Sequence, residues 1–182
     1  MGRQFKSISS AQREFIASQV VFFVSTATRE GHINLSPKGI DTFRILSENK
    51  VVWLNLTGSG NETAAHVMES DRMTIMFCAF QGAPKILRLY GKASVFHPGD
   101  PQFDKMKELF PDIPGSRQIF EMDVELVQSS CGMGVPLMEY KGHREELLDW
   151  AKDLGEQGLL EYRKKKNTLS LDGRPTGLPD YN

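Results

Sequence analysis

Two cysteines in 182 residues are too few for a disulfide framework. Cys78 lies in an apolar run and reads as a small core residue. Charge of one sign is also missing. The chain carries 22 Lys and Arg against 23 Asp and Glu, a formal net charge of −1, so no global field draws it to nucleic acid or an anionic membrane. The run Arg163-Lys164-Lys165-Lys166 is local and reads as the solvated end of a helix. No apolar run is long enough to span a bilayer. The opening Met1-Gly2-Arg3-Gln4-Phe5-Lys6 lacks an apolar signal core, and Lys6 spoils a myristoylation pattern. These absences set the expectation of a cytoplasmic protein. Its length suits a single domain over residues 1–182, with a helical C-terminal extension from about residue 143.

Catalytic signatures are equally scarce. No Cys/His spacing suits zinc, and His32, in a turn, and His97, before a proline, join no visible metal set. There is no Gly-x-Ser-x-Gly elbow. Gly58-Ser59-Gly60 is neither a dinucleotide fingerprint, since Thr63 replaces the third glycine, nor a phosphate loop, since Gly-Lys-Ser/Thr is missing.

The most informative stretch present is Val51-Val52-Trp53-Leu54-Asn55-Leu56-Thr57-Gly58-Ser59-Gly60-Asn61-Glu62-Thr63-Ala64-Ala65-His66. It reads as a β-rich strand, a small-residue turn, and a helix from Gly60 to about Glu69 opened by a capping box, Ser59 as N-cap and Glu62 as N3. Free N–H groups and the helix dipole converge there, which suits an anionic group. An ordinary strand–turn–helix connection explains the same residues equally well. His66, four residues after Glu62, reads as its partner on the helix surface.

Elsewhere a second capping box, Ser9 with Gln12, opens a short helix over 9–19. Residues 20–28, 33–36, 42–46, 51–56, 73–80, 86–97 and 118–128 are β-rich. Pro37 ends regular pairing or marks an edge. Asp100-Pro101 predicts an N-cap with proline at the first helical position. Residues 143–154 read as helical, with Leu147, Leu148, Ala151 and Leu154 on one side, and the tail from 169 as irregular. Strands joined by hairpin-length turns with few helices argue for a mainly β, antiparallel, closed or partly closed barrel with peripheral helices.

Four motifs in order carry a family resemblance: Asn34-Leu35-Ser36-Pro37-Lys38-Gly39, the 54–66 segment, Phe77-Cys78-Ala79-Phe80, and Ile86-Leu87-Arg88-Leu89-Tyr90-Gly91-Lys92. Together they resemble the pyridoxamine 5'-phosphate oxidase-like family of flavin-binding split β-barrels. The resemblance implies a homodimer with flavin mononucleotide (FMN) in clefts between the subunits. It implies FMN contacts from Ser36, Lys38, Asn55, Thr57, Ser59, Asn61, Thr63 and Arg88, with Gln128 and Ser129 edging the site from the partner. It departs from the vitamin B6 oxidases themselves. Their two basic residues at the helix start fall on Glu62 and Thr63, their arginine at the start of the second strand falls on Ile33, and their C-terminal tryptophan and arginine have no counterpart. The expected activity is an FMN-dependent oxidoreductase acting on a small molecule, with no catalytic side chain assigned. The alternatives are a non-catalytic flavin- or haem-binding sensor in stress response, and a deazaflavin-dependent reductase.

Overall fold

The structure is a computed structural model, and it describes residues 2–179. The elements run β1 (Arg3–Phe5), α1 (Ser10–Ala17), β2 (Phe22–Thr26), β3 (Asn34–Lys38), β4 (Phe43–Ser47), β5 (Lys50–Leu56), α2 (Glu62–Glu69), β6 (Arg72–Cys78), β7 (Ile86–Phe96), α3 (Pro101–Lys107), β8 (Ser116–Ser130) and α4 (Glu146–Lys166). The architecture is mainly antiparallel β with four helices.

The strands pair in the order β3-β2-β6-β7-β8-β5-β4, with β1 added against the end of β8. The path curls, because Phe22 of β2, Phe43 of β4 and Phe77 of β6 meet inside it with ring centroids 5.0 to 5.9 Å apart. Its two end strands, β3 and β4, have no hydrogen-bonded ladder between them. Pro37 therefore sits on an edge strand, where its missing N–H leaves no partner waiting.

The 15 residues of β8 make it the spine of the sheet: it pairs β5 through its first half and β7 along most of its length. Two irregularities shape it. Opposite Tyr90 and Gly91 the register slips between Leu126 and Val124, leaving Glu125 as an extra residue. Opposite Asn55 and Leu56 it slips from Gln118 to Ser116, leaving Arg117 extra. An extra residue bends the strand and re-aims side chains.

Alternation builds the main core. In β2, Phe22, Val24 and Thr26 point in, and in β7, Leu87, Leu89 and Gly91 do. β5 is buried on both faces. Val51 and Trp53 join the main core, where Trp53 stacks on Phe120 at 4.5 Å. Val52 and Leu54 face a second cluster with Phe103, Phe110 and Ile113, supplied by α3 and the loop after it, and Ile119 of β8.

The Ser9–Gln12 capping box forms in both directions. Several other expectations are corrected. α2 begins at Glu62 with Asn61 as N-cap, and Ser59 caps nothing. Glu62 instead accepts the Leu171 N–H, because the C-terminal tail crosses the helix start. His66 is buried at 1 % exposure and meets Thr26 Oγ1 at 3.1 Å, so it is a core residue and not a surface partner of Glu62. Asp100 occupies its N-cap position but turns back to accept the His97 N–H at 2.7 Å. The C-terminal helix starts at Glu146, later than expected, and runs to Lys166 across a break at Gly155 (φ 63°). Leu147 and Leu154 are 37 % exposed. Ala151, Leu159 and Arg163 are the buried set, so the seam of α4 differs from the predicted leucine stripe. Arg163 is no solvated helix end. The tail is irregular apart from one bridge, Leu169 with Pro175.

Candidate functional site

The buried polar residues of this protein concentrate at one end of the sheet, where β3, β5, the start of α2, the start of β8 and the end of α4 converge. Lys38 leaves the last position of β3 beside Phe22, its register partner, and its ammonium stands 5.2 Å from the centre of the Trp53 ring. It donates to Asn55 Oδ1 at 3.3 Å, and Asn55 Nδ2 donates to Gln118 Oε1 at 3.1 Å. The bulge at Arg117 makes this cluster possible, since it lets Arg117 and Gln118, consecutive on β8, both be buried. Burial, with the Arg117 guanidinium adding repulsion, pushes the Lys38 ammonium down from 10.5 to about 8. Burial also holds His97 below the usual imidazole range, with Arg117 pushing the same way and Asp100 opposing.

Among the described residues, the buried Trp53 Nε1 and Gln118 Nε2 have no hydrogen-bond partner. Both are donors, and a buried donor left unmade costs on the order of 1–3 kcal/mol. Next to the desolvated lysine the unmet atoms are donors, while an unmet acceptor, Asn61 Oδ1, lies further off at the α2 start. Chemically the lysine end suits a ligand presenting oxygen or anionic acceptors.

A second chain of bonds runs along the α2 start. Ser36 Oγ donates to Asn34 Oδ1 at 2.9 Å, and Asn34 Nδ2 donates to Thr63 Oγ1 at 3.0 Å and Thr26 Oγ1 at 3.1 Å. Thr26 in turn meets His66 Nδ1. Ser36, Asn34, Thr63 and His66 are thereby one network.

The turn between β5 and α2 is covered by the C-terminal segment. Arg163 Nε donates to Thr57 Oγ1 at 2.9 Å, and its Nη2 to Ser116 O at 2.9 Å. Asn167, fully buried, accepts from Arg117 Nη1 at 2.6 Å, donates to Gly58 O at 2.9 Å, and takes the Asn61 Nδ2 bond on its own carbonyl at 3.2 Å. Thr57 and Asn61 therefore hold the tail, while Ser59 stands exposed in the turn.

Arg88 and Gln128 lie elsewhere. They are register partners on β7 and β8, and Leu87 and Leu89 occupy the core, so Arg88 points to the opposite face. There Arg88 Nη1 donates to Ser130 Oγ at 3.2 Å, and Tyr90 donates to Gln128 Oε1 at 3.1 Å. Met76 and Phe23 continue this half-buried outer face across β6 and β2. Ser129 lines a cavity of about 560 Å3 with Arg3, Lys85 and Cys131. The structure thus groups Ser36, Lys38, Asn55, Thr57, Asn61 and Thr63 at one end, and places Arg88, Gln128 and Ser129 apart from them.

Arg117, Gln118, Arg163 and Asn167 escape the sequence reading. Arg117 precedes the visible β pattern and owes its burial to a bulge, which exists only once β5 and β8 pair. A lysine-rich helix end masks Arg163. The Asn-Thr pair after that run, a C-terminal punctuation signal, was the one local hint of Asn167. Among the described residues no group of His, Cys, Asp or Glu is placed to hold a metal ion, and no helix is long and apolar enough to cross a membrane.

Comparison with known proteins matches residues 8–131 to the family model described as pyridoxamine 5'-phosphate oxidase. A pyridoxamine 5'-phosphate oxidase family protein of Aspergillus flavus, ustO, is 37 % identical over 189 residues, covering 94 % of this chain and 76 % of the relative. Among solved structures, HupZ of Group A Streptococcus superposes with a TM-score of 0.58 at 17 % identity, over 68 % of this chain and 99 % of that one. An FMN-binding protein from Syntrophomonas wolfei superposes with a TM-score of 0.50 at 15 % identity, over 72 % of this chain and 88 % of that one. At these identities the two structures speak for the fold alone.

Proposed function

We propose, since the chain belongs to the pyridoxamine 5'-phosphate oxidase family, that it binds FMN and acts as a flavin-dependent oxidoreductase on a small molecule. The single observation that carries this reading is the donor-rich end at Lys38. The unmet Gln118 and Trp53 donors lie beside a desolvated cation there, and the flavin nucleotide presents the complementary chemistry, carbonyl oxygens and a phosphate. Lys38 and Asn55 would contact the cofactor, with Gln118 one hydrogen bond further in. The isoalloxazine supplies the hydride or electron transfer, and the protein supplies orientation and electrostatics. That division of labour requires no nucleophilic side chain. The S. wolfei FMN-binding protein supports the cofactor by fold analogy.

In this reading the barrel is split and works as a homodimer. Arg88 and Gln128, on the outer face, would then reach a cleft shared with the second subunit, and the two groups of candidate residues would belong to one composite site.

The test is an absorption spectrum of the purified protein, with mass identification of any small molecule released by heat. Released FMN supports the reading, released deazaflavin or haem replaces it, and a colourless protein that refuses added FMN removes it. Lys38→Ala should weaken FMN binding about tenfold, the scale of one lost charge-assisted hydrogen bond. If both Lys38→Ala and Arg88→Ala hold FMN as tightly as the parent, the placement is wrong.

Lys38 also sets a pH dependence. Burial penalises its charged form, so the folded chain binds fewer protons than the unfolded one between pH about 8 and 10.5, and stability should rise with pH across that window. Affinity for an anionic ligand runs the other way, falling as Lys38 loses its proton above about pH 8. Titration of FMN affinity from pH 7 to 10 should show that inflection, and Lys38→Arg should abolish it.

A further inference from the structure

A cavity of about 490 Å3 opens between α1 and the turn joining β3 to β4, where the curled sheet has no ladder. Its floor is aromatic. Phe22 and Phe43 stand 5.0 Å apart, and Phe43 meets Phe77 edge-on at 5.2 Å. Its rim is polar. Arg13, on the inward side of α1, and His143, from the segment before α4, both line it. Among the described residues the Arg13 guanidinium has no hydrogen-bond or ion-pair partner.

The carboxylate at the rim is already committed. Arg44 Nη1 and Nη2 grip Asp41 Oδ1 and Oδ2 at 2.7 and 2.9 Å, so that pair adds no net charge. The lip itself is strained. Ile40 and Asp41 hold φ of 60° and 50°, a left-handed conformation that a β-branched residue resists. Thr42 Oγ1 bonded to Gly39 O at 2.7 Å, and Arg44 bonded to Asp41 O at 3.1 Å, keep the turn in that shape. Strain kept in place by surrounding bonds clusters at ligand clamps.

We propose that this cavity is a second small-molecule site, taking a flat aromatic compound that carries one anionic oxyacid group, its rings on the phenylalanine floor and its anion at Arg13. The volume lies in the range of ordinary ligand pockets. The charge balance, one unpaired arginine beside a neutralised Asp41, selects an anion over a cation. Lys38, Asn55 and Gln118 do not line this cavity, and the proposal stands whether or not FMN binds at them.

The experiment compares two probes of one aromatic frame on the purified full chain, by fluorescence titration: anionic 8-anilinonaphthalene-1-sulfonate and neutral N-phenyl-1-naphthylamine. The parent should bind one sulfonate probe per chain more tightly than the neutral one, and added FMN should not displace it. Arg13→Gln should weaken the sulfonate probe about five- to tenfold and leave the neutral probe unchanged, while Arg13→Lys keeps most of the affinity. Ala17→Trp, which fills the cavity mouth from the end of α1, should abolish binding of both. Val20→Trp serves the same purpose if that variant does not fold. The proposal is overturned if Arg13→Gln leaves the sulfonate probe unaffected or weakens both probes equally. Displacement by FMN, or full binding by the tryptophan variants, overturns it as well.

Discussion

Gly91→Ala should cost at least about 3 kcal/mol of stability, a melting-temperature fall of roughly 6–12 °C for a chain of this size. Gly91 sits inside β7 opposite the point where β8 slips its register from Leu126 to Val124. A Cβ there would lie 1.9 Å from the Asp123 carbonyl oxygen and 2.9 Å from its carbon. Both are backbone atoms of the paired strand, so no side chain can swing aside. The two central strands would have to part where the core residues Leu89, Ala93 and Val124 meet. Gly134→Ala is the control, because nothing lies within 4 Å of the added atom there. Thermal melts of the two variants check the argument. A Gly91→Ala melt within about 2 °C of the parent would show that the sheet relaxes freely at this bulge.

Asn167→Ala should cost about 2–4 kcal/mol and release the C-terminal segment before the sheet melts. The side chain is fully buried and makes two bonds: it accepts from the Arg117 guanidinium at 2.6 Å and donates to Gly58 O at 2.9 Å. Its loss takes one acceptor from a buried cation and one donor from the turn that precedes α2. The neighbouring clasp, Arg174 on Glu69 at 2.7 Å and Leu171 N–H on Glu62, is more exposed and contributes less. Hydrogen exchange should therefore quicken from about residue 160 to 179, with β7 and β8 still protected. Asn167→Asp keeps an acceptor for Arg117 and loses the donor to Gly58, so it should fall between parent and alanine. Uniform loss of protection over the whole chain would mean that the tail and the sheet melt as one unit.

The two variants also separate two kinds of legibility. Gly91 lies in the 86–92 motif, yet nothing in Leu-Tyr-Gly-Lys announces that a Cβ there would lie 1.9 Å from backbone, because that backbone belongs to a residue 32 positions later. Asn167 carries only a weak local signal, the Asn-Thr pair after the lysine run. Lys38, by contrast, was legible as a cation at a strand end beside Ser36. Its depressed ammonium was not legible, since that depends on burial beside Trp53 and on Arg117.

The sequence by itself determined what local physics controls: the alternation of β2 and β7, the Ser9–Gln12 cap, the edge position of Pro37, the helix opened at Pro101, and the order of motifs that marks the family. Only the tertiary structure decided which face or partner each polar residue meets. His66 became a core residue, Arg163 a buried donor to Thr57, and Arg88 was turned to the face opposite Lys38. The reason is range. A cap or an alternation is settled within a few residues, whereas these placements follow from strand register, a bulge and a returning tail, which join positions up to 144 residues apart.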